Sequence, residues 1–371
     1  MSGTKTPTAQ GTWTVRVSGA VSFRIRRRGV YYGLACTAAA LAAVVALLLV
    51  GAYPISFAGV VDALFYGTGD RLAVHFVNRE RLPQAVLALL GGAAMGASGA
   101  IFQSLARNPL ASPEIIGFTS GAATGAVLTI AFTGGTALVA PGAIGGGLAT
   151  ACAVYLLSYK GGSDTLRLIM VGLGVTAMLG SVNSYLLTRS DLRTAQDAHL
   201  WLIGSLNGKG WDEVAILAPA AAVLLPAAVA LGRRLRMLEL GDAMATGLGV
   251  RPDRTRLALA VLGVALCGAT VAAIGPVPFI ALAAPQIAAR LARTPGMGVM
   301  GSALTGAVLL AAAHLVSGQL FPVLVRWGEA FPALAIANPE SVHLGVPVGA
   351  VCSVLGGLYL VALLTRRWRN G

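Results

Sequence analysis

Two long apolar stretches of the chain are joined by the segment Leu238-Glu239-Leu240-Gly241-Asp242-Ala243-Met244-Ala245-Thr246-Gly247-Leu248-Gly249-Val250. Six arginines flank this segment on its two sides: Arg233, Arg234, Arg236, Arg251, Arg254 and Arg256. The segment is too polar to cross a bilayer and too apolar for a disordered loop, and basic residues concentrate on the cytoplasmic side of membrane proteins. It therefore predicts a structured element at the cytoplasmic surface of a membrane protein.

The spacing within this segment predicts a short helix. Every fourth residue of one set, the large row, is bulky and apolar: Leu240, Met244 and Leu248. A parallel set, the small row, consists of Gly241, Ala245 and Gly249. Residues four apart share a helix face, so we expect the small row to meet a soluble partner closely while the large row holds the helix to the membrane domain. Asp242 suits the positive end of this helix and is a candidate cap, and a surface loop with accidental periodicity is the alternative.

Composition predicts an all-α polytopic membrane protein, because 56% of the residues are hydrophobic and 11% are charged. The apolar residues form runs of about 20, the length that crosses a bilayer as a helix. Ten spans are predicted: Val30 to Tyr53, Leu82 to Leu105, Glu114 to Phe132, Thr136 to Tyr159, Leu166 to Thr188, Val214 to Gly232, Leu257 to Gly275, Phe279 to Leu291, Met297 to Val316 and Leu344 to Thr365. The eighth is short and contains Pro285, so we expect a broken or half-length helix buried among the others.

The basic residues predict the orientation. With a cytosolic N-terminus, most of the 27 Lys and Arg face the cytosol, whereas the opposite orientation would reverse this bias. Both termini are then cytosolic, and the protein is a multi-pass protein of the cytoplasmic membrane. The net charge of +13 serves topology and attraction to anionic lipid headgroups, so no nucleic-acid partner is expected.

We divide the chain into a basic cytosolic tail over residues 1–29 and a ten-helix permease domain over residues 30–371. The permease domain includes the central loop at residues 233–256, and the tail is expected to be flexible because its first 22 residues are rich in Thr, Ser and Gly. The four cysteines stand alone in apolar runs, without zinc or redox spacing, so no metal or cofactor is expected. The stretch Gly204 to Gly210 imitates a phosphate loop but is one residue short, so no enzymatic nucleotide hydrolysis is expected.

Polar residues inside the spans are candidates for lining a translocation pathway: Ser98, Gln103, Thr119, Ser120, Ser181 and Asn183. The alternative for each is a hydrogen bond between helices. No Asp or Glu lies in the interior of a predicted span. Transporters driven by protons or sodium usually need such groups, which disfavours an ion-coupled secondary transporter.

Several motifs together carry a family resemblance: Arg81-Leu82-Pro83, Gly99 to Pro113 with Leu105-Ala106-Arg107-Asn108-Pro109-Leu110-Ala111, Gly117 to Ala122, Leu240-Gly241-Asp242 with Leu248-Gly249-Val250, and Gly275-Pro276-Val277-Pro278-Phe279 followed by Pro285. They resemble the FecCD family of ABC importer permeases over about residues 30–365. The stretches Ile101 to Ser104, Ser205 to Gly208 and Leu238 to Asp242 are most similar to family members that import ferric enterobactin.

The resemblance implies a type II ABC importer permease that carries an iron-siderophore, haem or cobalamin. It also implies a homologous second subunit, with a heterodimer favoured, two cytosolic ATPase subunits and an extracytoplasmic substrate-binding protein. The ATPase-coupling residues are then Leu240, Gly241, Asp242, Met244, Ala245, Leu248 and Gly249. Acidic side chains of the binding protein would dock on the outer arginines Arg79, Arg81 and Arg326, the last of which we place in an extended final loop. The alternative for Arg81 is an anchor at a helix end.

Three positions depart from the family pattern. Gln286 stands where His is usual, His314 where Asp is usual, and Gln84 where Arg is usual. The connection over residues 321–343 is also longer than in the family. We expect Gln286 and His314 to be structural, because neither has a second His or Cys at ligand spacing.

Overall fold

The computed structural model describes residues 6–8, 12–18, 21–51, 53–68, 70–133, 138–158, 165–292, 298–330 and 345–370. Long apolar runs fold into helices that end at glycine, proline or polar turns. The described helices are α1 Arg27–Leu49, α2 Phe57–Val61, α3 Arg71–His75, α4 Leu82–Leu105, α5 Phe118–Thr133, α6 Val139–Ser158, α7 Thr165–Arg189, α8 Leu192–Ile203, α9 Trp211–Glu239, α10 Asp242–Gly247, α11 Pro252–Ile274, α12 Ile280–Ala292, α13 Val299–Ala330 and α14 Val348–Asn370. Two π-helical turns, Asp62–Tyr66 and Phe76–Arg81, and a 3-10 turn, Pro113–Ile116, complete the helical segments.

Each of the ten predicted spans overlaps one of these helices: α1, α4, α5, α6, α7, α9, α11, α12, α13 and α14. Within the described residues, seven helical segments are long and apolar enough to cross a membrane. The apolar parts of α5, α12 and α14 are shorter. The all-α, polytopic membrane architecture predicted from the sequence is confirmed.

The half-length eighth span is also observed. Helix α12 has 13 residues and follows an unwound stretch that begins at Gly275. Pro285 lies inside the helix and removes one backbone donor, and the surrounding helices shield the freed groups. Helix α12 approaches α4 closely, since a Cβ atom at Gly99 would lie only 1.8 Å from the Ala281 carbonyl oxygen.

Helix α4 is the centre of the bundle and packs against α9, α11, α12 and α13. Its contact with α13 depends on glycine, because a Cβ atom at Gly92 would lie 2.3 Å from the Gly306 carbonyl oxygen. A Cβ atom at Gly96 would lie 2.1 Å from the Ser302 carbonyl oxygen. Membrane helices gain no hydrophobic driving force from each other, so backbone contact of this kind supplies the van der Waals packing.

The N-terminal residues differ from the prediction of a flexible tail. Strands Thr6–Thr8, Thr12–Ser18 and Val21–Arg26, named β1, β2 and β3, form an antiparallel sheet in the order β1-β2-β3. Trp13 pairs with Ile25 and Val15 pairs with Phe23 in its register. The physical reason is the enrichment of these strands in β-branched and aromatic residues, which outweighs the polar composition of the whole tail.

Candidate functional site

The central loop forms a short helix, α10, between the ends of α9 and α11. Two glycines make the turns on either side of it: Gly241 has φ +102° and Gly249 has φ +81°. L-residues with a side chain rarely adopt such backbone angles, so both positions favour glycine. Pro252 then begins α11, where its missing N–H costs no helical hydrogen bond.

The helix α10 differs from the sequence-based expectation at Ala245 and along the large row. Ala245 is fully buried, and it packs in an apolar cluster with Leu238, Val250 and Leu259. The large row is exposed instead, with 66% of Leu240, 58% of Met244 and 52% of Leu248 accessible. The prediction that Ala245 faces outward is wrong, because its side chain is buried against residues of α9 and α11. The two glycines of the small row are not packed in this way, since a Cβ atom at Gly241 or Gly249 would meet no atom within 4 Å. The large row is therefore the surface that this element offers.

Asp242 does not cap α10 as predicted. Gly241 occupies the N-cap position, and Asp242 in the first turn accepts a hydrogen bond from Arg256 Nη2 at 2.6 Å. Its Oδ1 also lies 3.9 Å from Nη2 of Arg107, which belongs to the turn after α4. The carboxylate thus joins α10 to two neighbouring elements because opposite charges surround it.

Two of the proposed pathway residues hold helices together. Ser98 is fully buried, and its hydroxyl donates to the Gly263 carbonyl at 2.7 Å. Gln103 is 1% exposed, and its amide donates to the Leu282 carbonyl at 3.0 Å. For these residues the structure supports the alternative, a hydrogen bond between helices, because each side chain is buried and donates to the backbone of a neighbouring helix.

The other candidate pathway residues lie at different depths. Thr119 and Ser120 are partly buried in the first turn of α5, and Asn183 is 8% exposed on α7. Ser181 is exposed on α7, and its hydroxyl donates to the Ala177 carbonyl of the same helix at 3.2 Å. Ser184, one turn further along, is exposed in the same manner. An exposed polar strip therefore exists on α7, and Asn183 is not part of it.

Arg81 lies at the end of α4 that is remote from α10, and it is buried with 8% of its surface exposed. Its guanidinium donates to the carbonyls of Leu48, at 2.7 Å, and Tyr53. Leu48 is in the last turn of α1, where unpaired carbonyls favour a cation. The guanidinium lies close to Gly51, where an added Cβ atom would be 2.5 Å from Arg81 Nη2, so a larger residue at this position would displace the guanidinium. Arg81 thus anchors a helix end, which was the alternative interpretation. The prediction that Arg81 docks the binding protein is wrong, because its side chain is buried.

The other two arginines proposed for docking differ from Arg81. Arg79, in the π-helical turn before α4, is exposed. Arg326 lies within α13 and not in an extended loop, because this helix continues to Ala330. The side chain of Arg326 and residues 331–344 lie outside the described residues. Arg79 is therefore the candidate docking cation whose surface position the structure describes.

The departures from the family pattern occur at positions that contact other polar side chains. Gln84 Oε1 lies 3.3 Å from His314 Nε2, so two of the departures face each other. Both residues line a cavity of about 440 Å³ together with Tyr53, Asn207 and Gln319. The third departure, Gln286, donates to Gln103 Oε1 at 2.8 Å. The structural role expected for His314 and Gln286 is consistent with these contacts and stays a prediction.

Sequence reasoning missed the polar contacts that surround the two ends of α10. Ser104 donates to Glu239 Oε1 at 2.6 Å, and Arg107 Nη2 donates to the Leu238 carbonyl at 3.1 Å. Arg107 also has φ +48°, which is uncommon for a residue with a side chain. The motif Arg107-Asn108-Pro109 marks this turn in the sequence, but it does not reveal that the turn lies against α9 and α10.

Comparisons with known proteins agree with this architecture. A family model described as the FecCD transport family matches residues 39–366. The chain is 42% identical to the ferric enterobactin transport system permease protein FepG of Escherichia coli (strain K12) over 311 residues, which cover 84% of this chain and 88% of that protein. It is 37% identical over 331 residues to the achromobactin transport system permease protein CbrC of Dickeya dadantii (strain 3937), covering 88% of this chain and 89% of that protein.

A solved structure has the same fold. It is described as an inward-facing conformation of a metal-chelate type ABC transporter, and it superposes with a TM-score of 0.76 at 23% sequence identity. The match covers 91% of this chain and 99% of that one. The helical bundle is thus the permease fold of an ABC importer. Because the family model matches most of the length of this chain, the chain belongs to the FecCD transport family.

Proposed function

We propose that this chain is a membrane-spanning permease subunit that carries an iron-siderophore complex across the cytoplasmic membrane. The observation that carries this proposal is the 42% identity to the ferric enterobactin permease FepG over 84% of the chain. The similarity to the achromobactin permease CbrC supports the same substrate class. Haem and cobalamin are the alternative substrates within the family.

Membership of an ABC importer implies ATPase subunits and a substrate-binding protein as partners. We infer that the large row of α10 enters a groove on the ATPase. More than half of each of these three apolar side chains is exposed, and the arginines on both sides of the loop make its surroundings basic. An apolar groove with an acidic rim is the matching surface, because interfaces bury apolar anchors and pair charges at their edges.

This assignment places α10 and both termini in the cytosol. It agrees with the concentration of Lys and Arg on the same side of the predicted spans. The π-helical turn that carries Arg79 then lies outside, where an acidic patch of the binding protein can reach it. Each permease half would move against the other around a fixed pathway when the ATPase closes.

The second permease subunit is proposed to pack against the exposed face of α7. Within the described part of α7, most residues after Met170 are exposed, and the face includes Ser181, Ser184 and Gly180. A Cβ atom at Gly180 would meet no atom within 4 Å. Small and hydroxyl-bearing side chains suit either close contact between helices or a polar pathway, whereas a lipid-facing helix needs neither. A homologous second chain, forming a heterodimer, is proposed as the occupant.

An ion-coupled transporter is the competing function, and it has less support. Glu114, the carboxylate nearest to a predicted span interior, lies in the 3-10 turn before α5. No Asp or Glu of the sequence lies deeper in a predicted span. Transport driven by an ion gradient usually requires such groups on the pathway.

The proposal is tested by uptake in a strain that lacks this chain and is complemented with it. Labelled ferric catecholate, ferric hydroxamate, haem and cobalamin are offered separately. We expect complementation to restore uptake of the ferric catecholate and an empty vector to restore none. Restored uptake of haem or cobalamin alone would overturn the substrate class while leaving the permease assignment intact.

A further inference from the structure

We propose that the turn at residues 106–112 is a strut that transmits movement of α10 to the broken helix α12, with Arg107 and Gln286 as its two positioning residues. The inference rests on the proposed contact between α10 and an ATPase. The proposed route transmits movement of α10 to α12, inside the bundle, without passing along the whole length of α9 or α11.

The first end of the strut is Arg107. Its Nη2 donates to the carbonyl of Leu238 at the end of α9 and lies 3.9 Å from Asp242 of α10. The carbonyl end of a helix and a carboxylate both favour a cation, so this position suits arginine. More than half of both side chains of the Arg107–Asp242 pair is exposed, so the pair alone contributes little stability. The pair instead fixes the relative position of the two helices, because the Arg107 side chain contacts both α9 and α10.

A second contact holds the same elements in register. Ser104, in the last turn of α4, donates to Glu239 Oε1 at 2.6 Å. Arg256 of α11 also donates to Asp242, at 2.6 Å and to the same Oδ1 atom that Arg107 approaches. The Arg107–Asp242 pair joins α10 directly to the turn after α4. The contacts to Leu238 and Glu239 reach the last residues of α9, a few residues before α10 begins, so movement of α10 also acts on the turn through the end of α9.

The turn itself is internally hydrogen-bonded. The Asn108 backbone N–H donates to the Gln103 carbonyl at 3.1 Å, and Asn108 Oδ1 accepts from the Leu110 N–H at 3.0 Å. An asparagine that bonds to the backbone two residues ahead stabilises a tight turn. Arg107 is held at φ +48°, a conformation that persists where the surroundings determine it. We infer that the turn moves as one stiff unit.

The second end of the strut is Gln286 of α12. Its Nε2 donates to the Pro109 carbonyl at 3.3 Å and to Gln103 Oε1 at 2.8 Å. Gln103 in turn donates to the Leu282 carbonyl, one turn before Gln286 on α12. Pro109 is two residues from Arg107, which limits the backbone distance between the two ends to about 7 Å. Polar contacts thus run without a break from α10 to the helix that Pro285 interrupts.

The test uses the complete transporter, with its second permease subunit, ATPases and binding protein, reconstituted in proteoliposomes with a ferric catecholate as the probe. The variants are Arg107→Gln, Gln286→Met and the double variant. The matched control is Arg28→Gln, an exposed arginine in the first turn of α1 for which no side-chain contact is described. The two readouts are the chelate carried per ATP hydrolysed and the amount of ATPase that co-purifies.

Each single variant is expected to lower the chelate carried per ATP by roughly 3- to 10-fold, the size of effect seen when coupling residues are removed. ATPase binding and ATP hydrolysis are expected to continue, because the large row is untouched. The double variant should be no worse than the more severe single variant, since both residues act in one chain of contacts. Gln286→His, which retains a ring N–H donor, should keep most of the coupling.

Two results would overturn the strut: wild-type coupling in both single variants, or a loss in the double variant equal to the product of the two single losses. A Met244→Asp variant in the same series separates this failure from failure of the proposed function. If Met244→Asp uncouples transport while Arg107→Gln and Gln286→Met do not, the strut alone is rejected. If Met244→Asp binds ATPase and couples normally, the contact between α10 and the ATPase is rejected first.

Discussion

Arg79 and Arg81 are two positions apart and have different roles because of where their side chains lie. The last carbonyls of α1 have no N–H partner within their helix, and the guanidinium of Arg81 donates to one of them. The side chain of Arg79 is exposed instead. A basic residue near a helix end is compatible with both roles, so the sequence alone left them open. Only the fold places the end of α1 beside one arginine and not the other.

We expect Arg79→Glu to weaken binding-protein affinity by about tenfold at low salt and by less at high salt, because exposed charges at an interface rim are screened. Binding of the loaded binding protein to the purified transporter measures this effect. Arg81→Met is the matched comparison: it should reduce the amount of folded subunit, since the carbonyls of α1 lose a buried donor. Unchanged affinity for Arg79→Glu at low salt would remove Arg79 from the docking surface.

Gln84 and His314 form a pair in which both members differ from the usual family residues. We expect His314→Gln to keep transport within a few-fold of wild type, because an amide can still meet Gln84. His314→Asp alone should cost about 3 kcal/mol of folding stability, because it leaves a buried carboxylate without a cation. The double change Gln84→Arg with His314→Asp should recover most of that loss, since it supplies the cation.

The melting temperature and amount of purified subunit measure this cycle of variants. Equal destabilisation by His314→Asp with and without Gln84→Arg would show that the two positions are not coupled. Collapse of transport in His314→Gln at normal protein levels would show that the imidazole has a role beyond structure.

At the scale of elements, α10 shows what periodicity predicts and what it cannot predict. The four-residue spacing of large and small residues correctly predicts a short helix in the central loop. It does not decide which row faces the bundle, because both rows are apolar. In the fold, Ala245 packs in an apolar cluster with Leu238 and Leu259, whereas Met244 is exposed.

We expect Met244→Asp to leave the subunit folded and to reduce ATPase binding by about 30-fold, the effect of losing roughly 2 kcal/mol at an interface anchor. Ala245→Trp should act differently. A large ring has no room at this fully buried position, so it should displace α10 and lower the amount of assembled subunit. Co-purification of ATPase and the yield of folded subunit separate the two effects, with Met244→Leu as the conservative control. Normal ATPase binding by Met244→Asp would show that the large row is not the contact.

At the scale of the whole molecule, the sequence predicted the all-α, polytopic membrane architecture because apolar runs of span length are direct evidence of helices in a bilayer. It also predicted that the eighth span is a broken or half-length helix, from its short length and Pro285. It could not predict which polar residues would be buried. Ser98 and Gln103 have the same residue types as a pathway would use, and only their position on the central helix α4 makes them contacts between helices.

The central claim is that this chain conducts a ferric chelate only when an ATPase drives it. The most direct measurement is transport of a labelled ferric catecholate into proteoliposomes that contain the complete transporter, with ATP inside or outside and with or without a proton or sodium gradient. We expect uptake to require ATP on the ATPase side of the membrane and the binding protein on the opposite side, and to be unaffected by either ion gradient. Uptake by this chain without any ATPase, driven by an ion gradient alone, would contradict it.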